Sequence, residues 1–181
     1  MKIIYMRHSE PQRLEYDKLG FIGFGKDLAP LTPKGIDIAE KAANNPMLDG
    51  TQLIVSSPLT RALQTAGIIA KHRQLSIEVE LGLIERRFDL TQKLSACELE
   101  PLFDEYINER GIWAKDEERN WESIDMQHKR LKSTLDKYLQ YDKIIVVAHG
   151  EIGRRLKVCK LDFCETFEIE YDSGFEFLGW S

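Results

Sequence analysis

The chain has 181 residues, 43% of them apolar, which suffices for one substantial core and predicts a single domain over residues 1–181. Its formal net charge of −5 implies no general attraction to nucleic acid or to an anionic membrane, so any anion must be bound locally. The first apolar run stops at Arg7, too short for a signal-peptide core or a membrane helix, and three cysteines without a CxxC pair suggest neither a disulfide framework nor a thiolate zinc site. A reducing, cytoplasmic setting is the expectation.

In chain order, residues 2–6 form a short apolar, β-branched run, and residues 53–56 and 143–148 repeat that character, as buried strands of a parallel sheet do. After the first run, Thr32 and Pro33 supply a cap and a first helical residue, with Ile36, Ala39, Ala42 and Ala43 at helical spacing and a stop near Asn44, Asn45 and Pro46. After the second, Ser57 and Pro58 repeat the signal, and Leu59, Ala62, Leu63, Ala66 and Ala70 make one apolar face. Residues 77–81 make a further candidate strand. From about Ser95 to Tyr141 the pattern is mostly helical, with Trp121, Ile124, His128, Leu131, Leu135 and Tyr138 spaced as the buried stripe of one long helix. A helical, cap-like insertion is expected around residues 88–125. Phe167, Ile169 and Tyr171 alternate with polar residues, and Asp172, Ser173 and Gly174 then turn the chain towards Phe175 and Phe177, which predicts a C-terminal antiparallel hairpin. Alternating strands and helices predict an α/β fold of three layers, α/β/α, with a mostly parallel sheet covered by helices on both faces.

In such sheets ligands gather at the carboxyl ends of the strands. Arg7, His8 and Ser9 follow the first strand, Ser56 to Arg61 the second, and His149 and Gly150 the run 144–148. Two arginines and two histidines would therefore meet. Guanidinium groups match phosphate oxygens in a planar, bidentate way and keep their charge, so Arg7 and Arg61 would hold a phosphoryl group, helped by backbone N–H groups in the first turn of the helix that carries Arg61. His8, kept neutral by its cationic neighbours, could attack phosphorus, and His149, if protonated, could stabilise the equatorial oxygens. A departing alkoxide needs a proton, and Glu85, after the third predicted strand, is the candidate donor, an assistance typically worth about a hundredfold to ten-thousandfold.

These segments resemble the histidine phosphatase superfamily, also called the phosphoglycerate-mutase-like family. Residues 7–10 (Arg-His-Ser-Glu) are similar to its Arg-His-Gly signature, and residues 27–35 to its Asp-x-x-Leu-Thr-x-x-Gly segment. Residues 56–66 are close to its second motif, and residues 147–150 resemble its last. The resemblance implies a phosphohistidine at His8, phosphate contacts from Arg7, Arg61, His149 and Gly150, a proton donor at Glu85, and no cofactor or metal. Ser9 stands where the family usually has glycine, narrowing the loop that approaches the phosphate. The stretch after Glu85 reads Arg86-Arg87-Phe88 in place of a glycine-rich Trp-Glu-Gly element, and is similar to the Glu-Arg-His-Tyr of the mutase branch. The chain is shorter than typical mutases and shows no basic insert to retain a phosphoglycerate, which favours hydrolysis of a small phosphorylated substrate. A mutase, or a catalytically weak phosphate-binding regulatory module, remains the alternative.

Other features have plainer readings. His128 belongs to a helix stripe and His72 ends a helix beside Lys71 and Arg73, which suits a packed ring and a C-terminal cap. Residues 20–26 match most of a P-loop, but no strand precedes them and Asp27 stands where Ser or Thr would bind magnesium, so a flexible loop beside the site is expected. Substrate choice is left to loops around residues 12–26 and 87–120. The oligomeric state stays open, with a homodimer as one option.

Overall fold

The computed structural model describes residues 1–157 and 160–180. Strand β1 (Lys2–Arg7) leads through the short helix α1 (Arg13–Asp17) and a 3-10 turn (Gly23–Leu28) to α2 (Pro33–Ala42). Strand β2 (Leu53–Ser56), helix α3 (Thr60–Arg73) and strand β3 (Ile77–Val79) follow, then a 3-10 turn (Leu81–Leu83) and α4 (Ala96–Asn108). The chain continues through α5 (Ile124–Leu135), β4 (Lys143–Ala148), the one-turn α6 (Gly150–Gly153) and β5 (Thr166–Glu170).

Among the described residues the strands form one sheet in the order β3-β2-β4-β1-β5, parallel except for the β1–β5 pair. The apolar runs are continuous because both faces are covered. On one face Ile4, Met6, Ile54, Ile145 and Val147 pack against Ala39, Ala62, Ala66 and Ile69 of α2 and α3. On the other, Ile3, Tyr5, Val55, Ile144 and Val146 meet Leu131 and Leu135 of α5 and Ile152 of α6. This is the expected three-layer α/β/α arrangement. No helix among the described residues is long and apolar enough to cross a membrane.

Several local expectations need correction. The stripe ending at Tyr138 forms α5 and the 3-10 turn after it (Asp136–Tyr138), with Ile124, Leu131, Leu135 and Tyr138 buried, but its helix starts at Ile124 and not at Trp121. Helix α4 ends where Arg110 and Gly111 take left-handed backbone angles (φ +51° and +66°), and a β-carbon on Gly111 would stand 2.8 Å from the Tyr106 hydroxyl. The chain runs irregularly to Ser123, whose side chain accepts from the Met126 N–H and starts α5. Trp121 therefore lies outside α5; its indole donates to Glu105 at 2.9 Å. Residues 88–125, where a cap-like insertion is expected, hold α4, irregular segments on either side of it and the start of α5.

The C-terminal hairpin is replaced by a single strand. Strand β5 pairs antiparallel with β1, and after the turn at Asp172 the chain crosses to α5. There Phe177 stacks on His128 with ring centres 5.5 Å apart, and the His128 Nε2 contacts the Leu178 carbonyl at 2.9 Å. Burying Phe175 and Phe177 beside Tyr171 replaces strand pairing. Helix α3 begins at Thr60, two residues later than Pro58, and its buried face carries Arg61 and Thr65 while Leu63 is exposed. Ile36 of α2 is likewise exposed, and Ala39 and Ala43 are buried. Cys97 and Cys164 are unpaired thiols, and Cys159 lies outside the described residues.

Candidate active site

Strand register brings the candidate residues together. Arg7 pairs with Ala148, and Ser56 with Val147, so the residues that follow, His8, Ser57 and His149, leave the sheet at one level. The His8 N–H donates to the Ala148 carbonyl at 2.9 Å and the Ser57 N–H to the Val147 carbonyl at 3.0 Å, which continues the sheet one step into the loops. The His8 and His149 rings lie 5.1 Å apart. Arg61, in the first turn of α3, donates through Nε to His8 Nε2 at 3.2 Å.

The chemistry of His8 follows from its contacts. Nδ1 lies 2.7 Å from the Ser9 carbonyl, which only accepts, so Nδ1 carries the proton and Nε2 the lone pair. Burial first, then the charges of Arg61, Arg7 and Arg13, hold the imidazole down to about 3 against the hydrogen bond to Ser9. His8 is neutral throughout the physiological range. His149 is fully buried and neutral for the same reasons, burial first and Arg61 second. Its Nε2 shares a hydrogen bond with the Ser57 hydroxyl at 2.8 Å, and its Nδ1 has no protein partner. Tyr5 clamps its backbone, donating to the His149 carbonyl at 2.6 Å and accepting from its N–H at 3.0 Å.

Arg7 donates Nη1 to the Leu161 carbonyl at 2.7 Å, lies over the Phe163 ring at 4.5 Å and leaves Nε without a protein partner. Gly150 packs against it, its position for a β-carbon 3.7 Å from Arg7 Nε. Ser9 does not narrow the phosphate approach as expected. Its hydroxyl is buried and donates to the Gly35 carbonyl at 2.6 Å, so the extra atoms tie the loop to α2, while its backbone N–H donates to Thr65 of α3 at 3.0 Å. A β-carbon at Gly35 would fall 2.3 Å from the Glu10 carbonyl, which makes glycine necessary for that contact.

A cleft of about 540 Å³ opens over these groups, with Arg7, His8, Arg13, Arg61, Glu85 and Arg86 among its lining residues. Glu85 thus faces the same cleft as His8, as its place after β3 predicts. Burial pushes its carboxyl up from the ordinary carboxylate range, opposed by the hydrogen bond from the Arg86 N–H at 2.9 Å. Arg86 pairs with Glu151 at 3.1 Å and lies over Phe88 at 4.2 Å. His149 lies behind His8 and does not line the cleft wall. The P-loop-like stretch ends in the 3-10 turn, and Gly23, Phe24 and Asp27 form part of the rim. His72 lies exposed in the last turn of α3, where a cap was expected. Among the described residues no three His, Cys, Asp or Glu side chains cluster as metal ligands.

Sequence reasoning missed four contributors. Asp27 accepts from Arg61 Nη1 at 2.6 Å, Tyr5 holds His149, and Glu122 with Arg130 brackets the segment that carries Glu85. Asp27 carried a signal, since it stands in a matched motif; a tyrosine inside a strand and a glutamate beside Trp121 carried none.

The architecture is shared with several solved structures. The Shigella flexneri alpha-ribazole phosphatase is 21% identical, with a TM-score of 0.68 over 99% of this chain and 96% of that one. A mycobacterial glucosyl-3-phosphoglycerate phosphatase in complex with VO3 is 19% identical, with a TM-score of 0.70 over 93% and 92%. Bacillus stearothermophilus YhfR is 19% identical, with a TM-score of 0.70 over 98% and 94%. At these identities the likeness is one of fold. No curated protein sequence matches the chain. The family model of histidine phosphatase superfamily branch 1 matches residues 3–163, a span that includes Arg7, His8, Arg61, Glu85, His149 and Gly150, and the chain belongs to that superfamily.

Proposed function

We propose that this protein is a metal-independent phosphatase that hydrolyses a small phosphomonoester through a phosphohistidine at His8. The observation that carries the reading is the fixed tautomer of His8: with Nδ1–H on the Ser9 carbonyl, the Nε2 lone pair lies on the side of Arg61. Arg7 and Arg61, which line the cleft, supply donors to the phosphoryl oxygens, and Arg7 Nε has no protein partner. His149 is neutral and lies beside His8 without lining the cleft, so a positively charged phosphate contact from it is not part of the scheme.

In the first step His8 Nε2 forms a bond to phosphorus as the ester P–O bond breaks, and the departing oxygen takes the proton of the Glu85 carboxyl. In the second, a water attacks phosphorus and gives its proton to the Glu85 carboxylate. The P–N electron pair returns to Nε2, orthophosphate leaves, and Glu85 is again protonated. A raised Glu85 pKa suits the first role and a nearby carboxylate the second.

The relatives whose names state a substrate act on alpha-ribazole phosphate and on a glucosyl-3-phosphoglycerate, both phosphomonoesters, which supports the same substrate class here. A panel of phosphorylated metabolites, assayed with and without EDTA and with His8→Ala, tests the proposal. Orthophosphate release that resists EDTA and vanishes in His8→Ala is the expected result. Activity that persists in His8→Ala would overturn it, and interconversion of phosphoglycerate isomers without orthophosphate release would assign a mutase instead.

A further inference from the structure

Glu85 lies in an irregular stretch between β3 and α4, where neither a helix nor a sheet ladder fixes a side chain. Its carboxyl accepts from the Arg86 N–H at 2.9 Å and the Glu151 N–H at 3.4 Å, and two charged groups on the α5 side hold the backbone that presents it. Glu122, whose side chain is fully buried, accepts from Arg130 Nε at 2.7 Å and Nη2 at 2.9 Å, a bidentate pair. The third nitrogen of the same guanidinium, Nη1, donates to the carbonyls of Gly82 at 2.5 Å and Ile84 at 2.8 Å. On the far side of Glu85, the Glu122 N–H donates to the Arg87 carbonyl at 2.8 Å, and the Glu122 carboxylate accepts from the Arg87 N–H at 3.3 Å. The peptide before Glu85 and the residue two beyond it are therefore both tied to one buried ion pair.

A second observation fixes the height of this stretch over α5. A β-carbon on Gly82 would stand 1.9 Å from the Thr134 hydroxyl and 3.0 Å from the Arg130 carbonyl, so the turn at Leu81–Leu83 lies directly on the helix backbone. Only glycine permits that approach. Buried charge of this kind adds little net stability compared with apolar packing, which leaves geometric specificity as its distinct contribution.

We propose that Arg130 and Glu122 are positioning residues for proton donation, setting the orientation of Glu85 over the cleft through the backbone at Gly82, Ile84 and Arg87. This rests on the assignment of Glu85 as the acid. The pair touches neither the phosphoryl group nor His8, so it governs departure of the leaving group and leaves nucleophilic attack alone.

Leaving-group dependence is the test. p-Nitrophenolate departs without assistance, whereas an alkoxide requires the proton. kcat/KM is compared for p-nitrophenyl phosphate and for a simple alkyl phosphate in the full-length protein. Arg130→Met leaves the buried Glu122 charge with only the longer Arg87 pair at 3.4 Å, so the doubly neutral Arg130→Met/Glu122→Gln variant is assayed beside it, with Arg130→Lys as the conservative variant. The expected result is at least a tenfold greater loss on the alkyl ester than on the aryl ester, partial recovery in Arg130→Lys, and the same pattern from Gly82→Ala. Glu85→Gln serves as the reference. If Glu85→Gln shows no leaving-group bias, the assignment of the acid fails. If it shows the bias and the Arg130 variants lose both substrates equally, or neither, the positioning role is wrong.

Discussion

Arg61 reaches His8 and Asp27 with one guanidinium, through Nε to the His8 Nε2 at 3.2 Å and through Nη1 to the Asp27 carboxylate at 2.6 Å. The lone pair proposed to attack phosphorus is thus engaged by the residue proposed to bind the phosphate. A phosphoryl group entering the cleft must draw Arg61 off His8, and in doing so competes with Asp27 for the same cation. Asp27 sits on the 3-10 turn Gly23–Leu28, whose Phe24 and Leu28 are exposed, so that segment has little apolar packing to hold it in place.

Asp27→Asn should therefore tighten binding of inorganic phosphate. With the aspartate side chain 28% exposed, the competing ion pair is worth about 1 kcal/mol, which lowers the inhibition constant by roughly fivefold. Competitive inhibition of ester hydrolysis measures it. Weaker phosphate binding in the variant would show that Asp27 orients Arg61 and does not compete with the ligand.

Acidity should act on stability in a defined window. The folded-state values of His8 and His149 lie below the ordinary 6.5, so between that value and their depressed ones the unfolded chain binds more protons than the folded one. Stability falls as pH drops from about 6.5 towards 4. Glu85 has the opposite sign, since its raised value makes the folded state the better proton binder. Replacing His149 by Gln removes one titration, so the slope of unfolding free energy against pH in this window should become less steep by about 1.4 kcal/mol per pH unit. Urea denaturation at several pH values gives both slopes; identical slopes would mean His149 is protonated in the folded protein.

Catalysis has its own pH signature. With His8 held down to about 3, no acid limb should appear near 6.5 from the nucleophile. The requirement for a protonated Glu85 makes hydrolysis of an alkyl phosphate decline on the alkaline side, at a pH above the ordinary carboxylate range, and Glu85→Gln should abolish that limb. A limb that survives in Glu85→Gln would place the acid elsewhere.

Tyr5→Phe removes one hydroxyl that both donates to the His149 carbonyl and accepts from its N–H. Two buried backbone groups lose their partner, a loss of about 1–3 kcal/mol each at most. The midpoint in urea should fall, and kcat should drop by roughly tenfold to a hundredfold as His149 shifts against its neighbour. Unchanged kcat with lowered stability would separate Tyr5 from the chemistry.

Much of this arrangement was legible in the residues. The runs ending at Arg7, Ser56 and Ala148 stand at the carboxyl ends of adjacent strands because unbroken β-branched sequence suits a sheet buried on both faces, and that adjacency brings His8, Arg61 and His149 together. Thr32 caps α2 as its spacing with Pro33 predicts. What escaped depends on tertiary context. The left-handed Arg110–Gly111 pair interrupts a helical pattern that periodicity alone continues, and Ser57, which looks like a helix cap, hydrogen-bonds the His149 ring and leaves Leu59 at the N-cap of α3, which begins at Thr60. The stack of Phe177 on His128 outweighs hairpin pairing that alternation favours. The bracket around Glu85 joins residues 46 and 48 positions apart in the chain, beyond the reach of any local signal.

The central claim is covalent attack by His8. Rapid quenching of the enzyme during turnover of a phosphomonoester labelled in its phosphoryl group should trap label on the protein that is stable in alkali and lost in acid, with the labelled peptide containing His8 and no label in His8→Asn. Full turnover with no protein-bound label at any quench time, or label that remains in His8→Asn, would contradict the account.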